Sequence, residues 1–296
     1  MESIEPAEPY YPPAAPGIEK IRNRWIEIDS MAGLGIDPDL ERIPAEIWEE
    51  VGGAENVADG ITLFAKGIID ATADLVVDMK PNPVFFKGSA GRLALANTFA
   101  YMKEKHPGVL RVCDGKFAEV GHSAEKIADE IFGDLDADAV LLNPYLGFDA
   151  IEPFAKWKDK LVILCVNTSN PSAAQIQNLP LTDGNPLWKH ILLESMQSWN
   201  YNGNIIPVMS ATHPDNLIGI RDIVGDTPIL LAGVGSQGGS VDETVPGCLD
   251  SQGYGLMIGA SRAVLYPDVQ AGETAIHASR RAALTLRDNI NLAKAA

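Results

Sequence analysis

What most constrains this chain is a repeat of pattern, with no repeat of residues. Eight short apolar runs end in small or polar residues, each followed by an amphipathic stretch: 31–37, 75–80, 109–116, 139–145, 161–169, 204–212, 228–235 and 254–262. Strand alternating with helix implies parallel pairing through crossover helices. Eight repeats within 296 residues fit an α/β fold of the (β/α)8 TIM-barrel type better than an open doubly wound sheet. Helical periodicity predicts helices over 18–30, 88–104, 123–132, 149–158, 187–200, 214–223 and 273–295. Leu93, Leu95, Phe99 and Met102 fall on a helical period, and Ser123 reads as a helix cap. The Pro-rich residues 1–16 read as a flexible tail, leaving 17–296 as a single barrel domain with one extra helix.

The composition supports one large core, with 46% apolar and 21% charged residues. A net charge of −17 argues against nucleic acid or an anionic membrane as partner, though not against a small phosphorylated ligand. Cys113, Cys165 and Cys248 lie far apart in apolar segments and read as reduced core thiols. No apolar run reaches the length of a membrane span, and the acidic N-terminus is unlike a signal peptide, so a cytoplasmic location is expected.

Polar residues gather where the apolar runs end: Asp37, Lys80, Asp114 with Lys116, Asn143, Thr168 with Ser169, Thr212, Gly235 with Gln237, and Arg262. In a barrel these ends converge on one mouth, which is where catalytic residues of this fold collect. The densest group is Asp114-Gly115-Lys116-Phe117-Ala118-Glu119. Asp114 and Lys116 are two apart and project to the same side of a strand, with Glu119 just beyond it. An ammonium between two carboxylates suits proton delivery at a charged centre, and it equally suits a surface ion-pair cluster.

The glycine-rich segment 232–239 and Arg262 follow the seventh and eighth runs, the usual phosphate cradle of a barrel. The alternative there is a tight turn beside a surface arginine. Thr168-Ser169-Asn170-Pro171 offers hydroxyls and an amide to a polar heterocycle, or else a turn. The five histidines show no ligand spacing, and no nucleophile elbow is present, so neither a metal site nor nucleophilic catalysis is indicated.

Seven motifs, in order over roughly residues 30 to 267, resemble the orotidine 5′-phosphate decarboxylases, in their longer bacterial and archaeal branch. They are Gly-Ile-Asp37-Pro, Met-Lys80-Pro, Asp114-x-Lys116-x-x-Glu119, Asn143-Pro-Tyr-Leu-Gly-Phe148, Thr168-Ser-Asn-Pro171, Gly233-Val-Gly-Ser-Gln237-Gly-Gly239 and Ala260-Ser-Arg262. The resemblance implies a (β/α)8 barrel without metal or organic cofactor, working as a homodimer with shared active sites. It implies decarboxylation of orotidine 5′-phosphate to UMP, the last step of de novo pyrimidine synthesis. By position, Asp37 would bind ribose hydroxyls, and Lys80 would bridge ribose and the carboxylate array. Asp114 and Lys116 would form the core of the charged network, with Lys116 protonating C6. Ser169, beside Thr168, would read the pyrimidine edge. Gly235, Gln237, Gly238 and Arg262 would hold the 5′-phosphate. Ser123 matches a family threonine that reaches the neighbouring subunit's ribose.

Glu119 stands where the family has the aspartate contributed across the dimer interface. Phe117-Ala118 replaces a usual Arg-Gly, and Asn82 and Ala232 replace a usual Gln and Pro. These departures keep two alternatives open: a superfamily relative acting on another phosphorylated sugar or nucleotide, and a non-catalytic nucleotide-binding paralogue.

Overall fold

The computed structural model describes residues 13–234 and 238–296. Eight parallel strands close into a barrel in sequence order: β1 (Ala32–Ile36), β2 (Asp78–Pro81), β3 (Leu110–Phe117), β4 (Ala139–Leu142), β5 (Leu161–Cys165), β6 (Ile205–Ser210), β7 (Ile229–Ala232) and β8 (Leu256–Ala260). β8 returns to β1 with Gly259 beside Gly33, which is itself beside Asp78 of β2. Each strand overlaps one predicted run, though β2 takes the polar end of its run and β3 carries Asp114 and Lys116 within it. The polar residues that close the runs mostly lie on the loops beyond, so they share one rim.

Helices cover the barrel, the longest being Gly88–Lys105 and Ala275–Lys294. Two predicted helices, over 123–132 and 187–200, each divide into an α-helix (Gly121–Ala128, Leu187–Glu194) and a π-helical turn (Asp129–Asp134, Ser195–Trp199). The first begins at Gly121, where φ of +54° turns the chain into the helix early. Ser123 therefore sits inside the first turn and makes no capping bond. The structure also adds Val57–Thr72, which the sequence pattern does not single out. Its two glycines weaken the helical signal, yet Gly60 is where Trp48 lies against the helix: a Cβ there would fall 2.0 Å from the indole.

The N-terminal helix Pro16–Ile28 closes the bottom of the barrel, burying Ile18, Ile21 and Trp25. Trp25 stacks on Tyr254 with ring centres 6.1 Å apart. A Cβ on Gly17 would fall 2.6 Å from Leu161 Cγ, so glycine lets this helix lie directly under β5. Packing reaches back into the expected tail: Ala15 is buried, and its N–H donates to the Gly203 carbonyl at 3.2 Å. The rest of that stretch, 1–12, lies outside the described residues. At the same end, Lys20 and Arg111 each reach Asp138 at 2.9 Å, and Lys103 and Lys160 each reach Asp136 at 2.8 Å. Burial pushes the Asp136 carboxyl up, but the bonds from Lys103 and Lys160, with Arg111 nearby, bring it down to about 2. Among the described residues no helix is long and apolar enough to cross a membrane.

Candidate active site

At the opposite end, the C-terminal ends of the strands open into a cavity of about 1360 Å³. Asp37, Lys80, Asp114, Lys116, Thr168, Ser169 and Arg262 all line it. β1, β2, β3, β5 and β8 thus bring polar residues to one cavity, from the strand itself (Lys80, Asp114, Lys116) or from just beyond it (Asp37, Thr168, Ser169, Arg262).

β3 brings Asp114 and Lys116 together by an irregular route. Its pairing with β4 shifts register between Cys113 and Phe117, and Lys116 adopts φ +47°, a left-handed conformation rare for a residue with a side chain. Such local strain persists only where the surroundings enforce it. The result turns the Lys116 ammonium back onto Asp114, whose Oδ1 accepts its hydrogen bond. Asp114 is largely buried, while Lys116 is half exposed to the cavity.

Beside this pair, Lys80 Nζ donates to Asp78 Oδ2 at 2.9 Å, both side chains being buried. Burial pushes the Asp78 carboxyl up, against the pull of Lys80. Asp37 accepts from Ser261 Oγ across the β1–β8 joint. Burial also pushes the Asp37 carboxyl up and Asp114 adds to this, while Ser261, Lys80 and Lys116 oppose it. Three carboxylates and two ammonium groups therefore share one electrostatic neighbourhood at the rim.

Across the mouth, Thr168 is held by Gln177, whose Oε1 accepts from the Thr168 N–H at 2.9 Å and whose Nε2 donates to its hydroxyl at 2.7 Å. Ser169 packs against Gly233: a Cβ on Gly233 would fall 2.7 Å from Ser169 Cβ, and its φ of +86° also favours glycine. The loop after β7 closes on itself, with the Gly239 N–H donating to the Gly233 carbonyl at 3.0 Å. Gly238 is exposed on that loop, whereas Gly235 and Gln237 lie outside the described residues. Arg262 opens the short helix Arg262–Leu265 after β8 and faces the cavity.

Four expected residues do not join this group within one chain: Glu119, Ser123, Asn143 and Thr212. Glu119 accepts from the Val120 N–H at 3.2 Å, and both it and Ser123 are exposed on the segment after β3, outside the cavity lining. Asn143 spends its side-chain oxygen on the Tyr145 N–H at 3.1 Å, capping a turn. Asp78 and Ser261, which hold Lys80 and Asp37, do not themselves close an apolar run. Asp78-Met79-Lys80 has the same spacing as Asp114-Gly115-Lys116 on the neighbouring strand, so the repeat itself was the available signal.

Comparison with known proteins adds an independent line. A family profile described as "Orotidine 5′-phosphate decarboxylase / HUMPS family" matches residues 64–272. The orotidine 5′-phosphate decarboxylase of Cellvibrio japonicus is 40% identical over 94% of this chain and 99% of its own length. That of a Janthinobacterium species is 38% identical over 93% of this chain and 97% of its own length. Among solved structures, the OMP decarboxylase of Leishmania donovani superposes with a TM-score of 0.79 at 25% identity, covering 95% of this chain and 99% of that one.

Proposed function

The chain belongs to the orotidine 5′-phosphate decarboxylase / HUMPS family, and on that premise we propose that it is a carbon–carbon lyase converting orotidine 5′-phosphate to UMP. The observation that carries this is the Lys116 ammonium held on Asp114 in the same cavity as Lys80 and Arg262. In this reading Arg262 and the backbone N–H groups after β7, with Gly235, Gln237 and Gly238, bind the 5′-phosphate. Asp37 and Lys80 bind the ribose, and Thr168 and Ser169 face the pyrimidine. Phosphate binding remote from the reacting carbon supplies energy for orienting the ring.

The C6–carboxylate bond breaks, carbon dioxide leaves, and the bonding electron pair stays on C6. Lys116 then donates a proton to that carbon and is reprotonated from water. A preorganised ammonium at the site of developing negative charge is the largest kind of contribution an active site makes. Asp114 aims it.

Glu119 and Ser123 enter the same reading from a second copy of the chain. Val84, Phe85, Val120, Tyr145 and Leu146, on the segments after the neighbouring strands β2, β3 and β4, are all exposed, Phe85 at the cavity itself. Exposed apolar side chains on these segments, with two polar residues that do not line their own cavity, favour a homodimer that shares its active sites. The three thiols, none in a disulfide, accord with a reducing cytoplasm.

Loss of orotidylate absorbance in the presence of purified protein tests the reading directly. The native chain is expected to turn over, and Lys116→Ala to lose turnover while keeping UMP affinity within about threefold. Comparable turnover in that variant would remove Lys116 as the proton donor.

A further inference from the structure

We propose that Asp78 is a positioning residue for Lys80, a carboxylate sunk one layer below the mouth that fixes the ammonium lining the substrate cavity. The inference rests on the decarboxylase reading for what Lys80 touches, and on geometry for the rest. Asp78 is fully buried and does not line the cavity; Lys80 does. The two sit two apart on β2, on the face turned into the barrel, and Asp78 Oδ2 accepts from Lys80 Nζ at 2.9 Å. Asp78 Oδ1 has no hydrogen-bond partner among the described residues.

The adjoining strands, β1 and β8 beyond it, are cleared for this pair. A Cβ on Gly33 of β1 would fall 2.3 Å from Asp78 Oδ1, and one on Gly259 of β8 would fall 3.0 Å from Lys80 Nζ. Barrel interiors are normally filled at such layers by branched aliphatic side chains. Here two glycines replace them and a charged pair takes the space. Stability does not explain the exchange, because a buried ion pair is commonly no better than a hydrophobic group of the same volume. Orientation does. Lys80 carries a flexible stem, and the carboxylates of Asp37 and Asp114 line the same cavity. A carboxylate bonded to the ammonium fixes where it stands among them.

A double-mutant cycle tests this with four proteins: native, Asp78→Asn, Lys80→Ala, and both together. Orotidylate kcat/KM, UMP affinity by titration and melting temperature are read for each. Asp78→Asn keeps shape and polarity, so its melting temperature is expected to stay within about 5 °C of native, while kcat/KM falls about 10- to 100-fold, as for a misplaced group. With Lys80 absent, the same substitution is expected to leave UMP affinity unchanged within about twofold. Native kcat/KM in Asp78→Asn overturns the proposal, and so does an equal loss of UMP affinity with and without Lys80. Should Asp78→Asn fail to fold, Asp78→Ser is judged by the same criteria. A native protein that binds UMP without decarboxylating orotidylate sinks the decarboxylase reading alone, because the UMP arm still decides Asp78.

Discussion

Asp37 illustrates how a single residue trades stability for binding. Its carboxyl is pushed up by burial, so the folded protein holds that proton more tightly than the unfolded chain does. Stability from this group is full below the ordinary carboxylate range and is lost as pH rises through the raised value. Asp37→Asn should therefore melt higher than the native chain at pH 7, with the gap closing near about pH 3.5. The same variant should bind UMP about tenfold more weakly, because a ligand hydroxyl exchanges a charged acceptor for a neutral amide oxygen. Melting curves at the two pH values and one UMP titration check both halves. At this scale the sequence was informative where a residue ends an apolar run, as Asp37, Lys80, Asp114, Lys116 and Arg262 do. It was uninformative where a residue works from below the rim. Asp78 is charged yet lies within a strand, and Ser261 matters only because ring closure places it against Asp37, far away in sequence.

Among elements, the strands were legible because burial on both faces leaves an apolar signature along the chain. Helix ends were less so, since Gly121 starts its helix through backbone geometry, without a side-chain cap. The N-terminal helix Pro16–Ile28 and the ion pairs around it make the barrel floor a unit with its own chemistry. Trp25 is fully buried there. Trp25→Ala should cost about 3–5 kcal/mol in denaturant unfolding, the usual range for emptying such a site. Asp136 works in the opposite sense to Asp37. Its carboxyl is held down at about 2 by its cationic neighbours, so its contribution is present at neutral pH and fades as pH falls from the ordinary range toward that value. Asp136→Asn should lower the melting temperature at pH 7 and match the native chain near about pH 2. Neither substitution touches the mouth, so kcat/KM should survive both wherever the protein stays folded.

The whole molecule is where one chain falls short of the proposed function, because Glu119 and Ser123 are exposed and do not line their own cavity. If each site borrows them from a partner, a mixture of Lys116→Ala with Glu119→Ala, each inactive alone, should regain activity. Random exchange makes half of the dimers mixed, each with one intact site of two, so recovery should approach about a quarter of native activity. Leu146→Asp, in the exposed apolar patch, should yield monomers by sedimentation together with loss of turnover. Sequence periodicity could not show this, because an interface is a relation between two surfaces and leaves no repeat along either. The joint between β1 and β8 has a consequence in time as well. Glycine faces inward on both strands there, beneath Asp37 and the Ser261 that bonds to it. A nascent chain leaving the ribosome carries Lys80, Asp114 and Lys116 long before it carries Gly259 and Ser261. Until that final stretch is made, Lys80 has no wall behind it and Asp37 no hydroxyl. The catalyst is thus assembled only after β8 has been made, and a product truncated before Gly259 is silent.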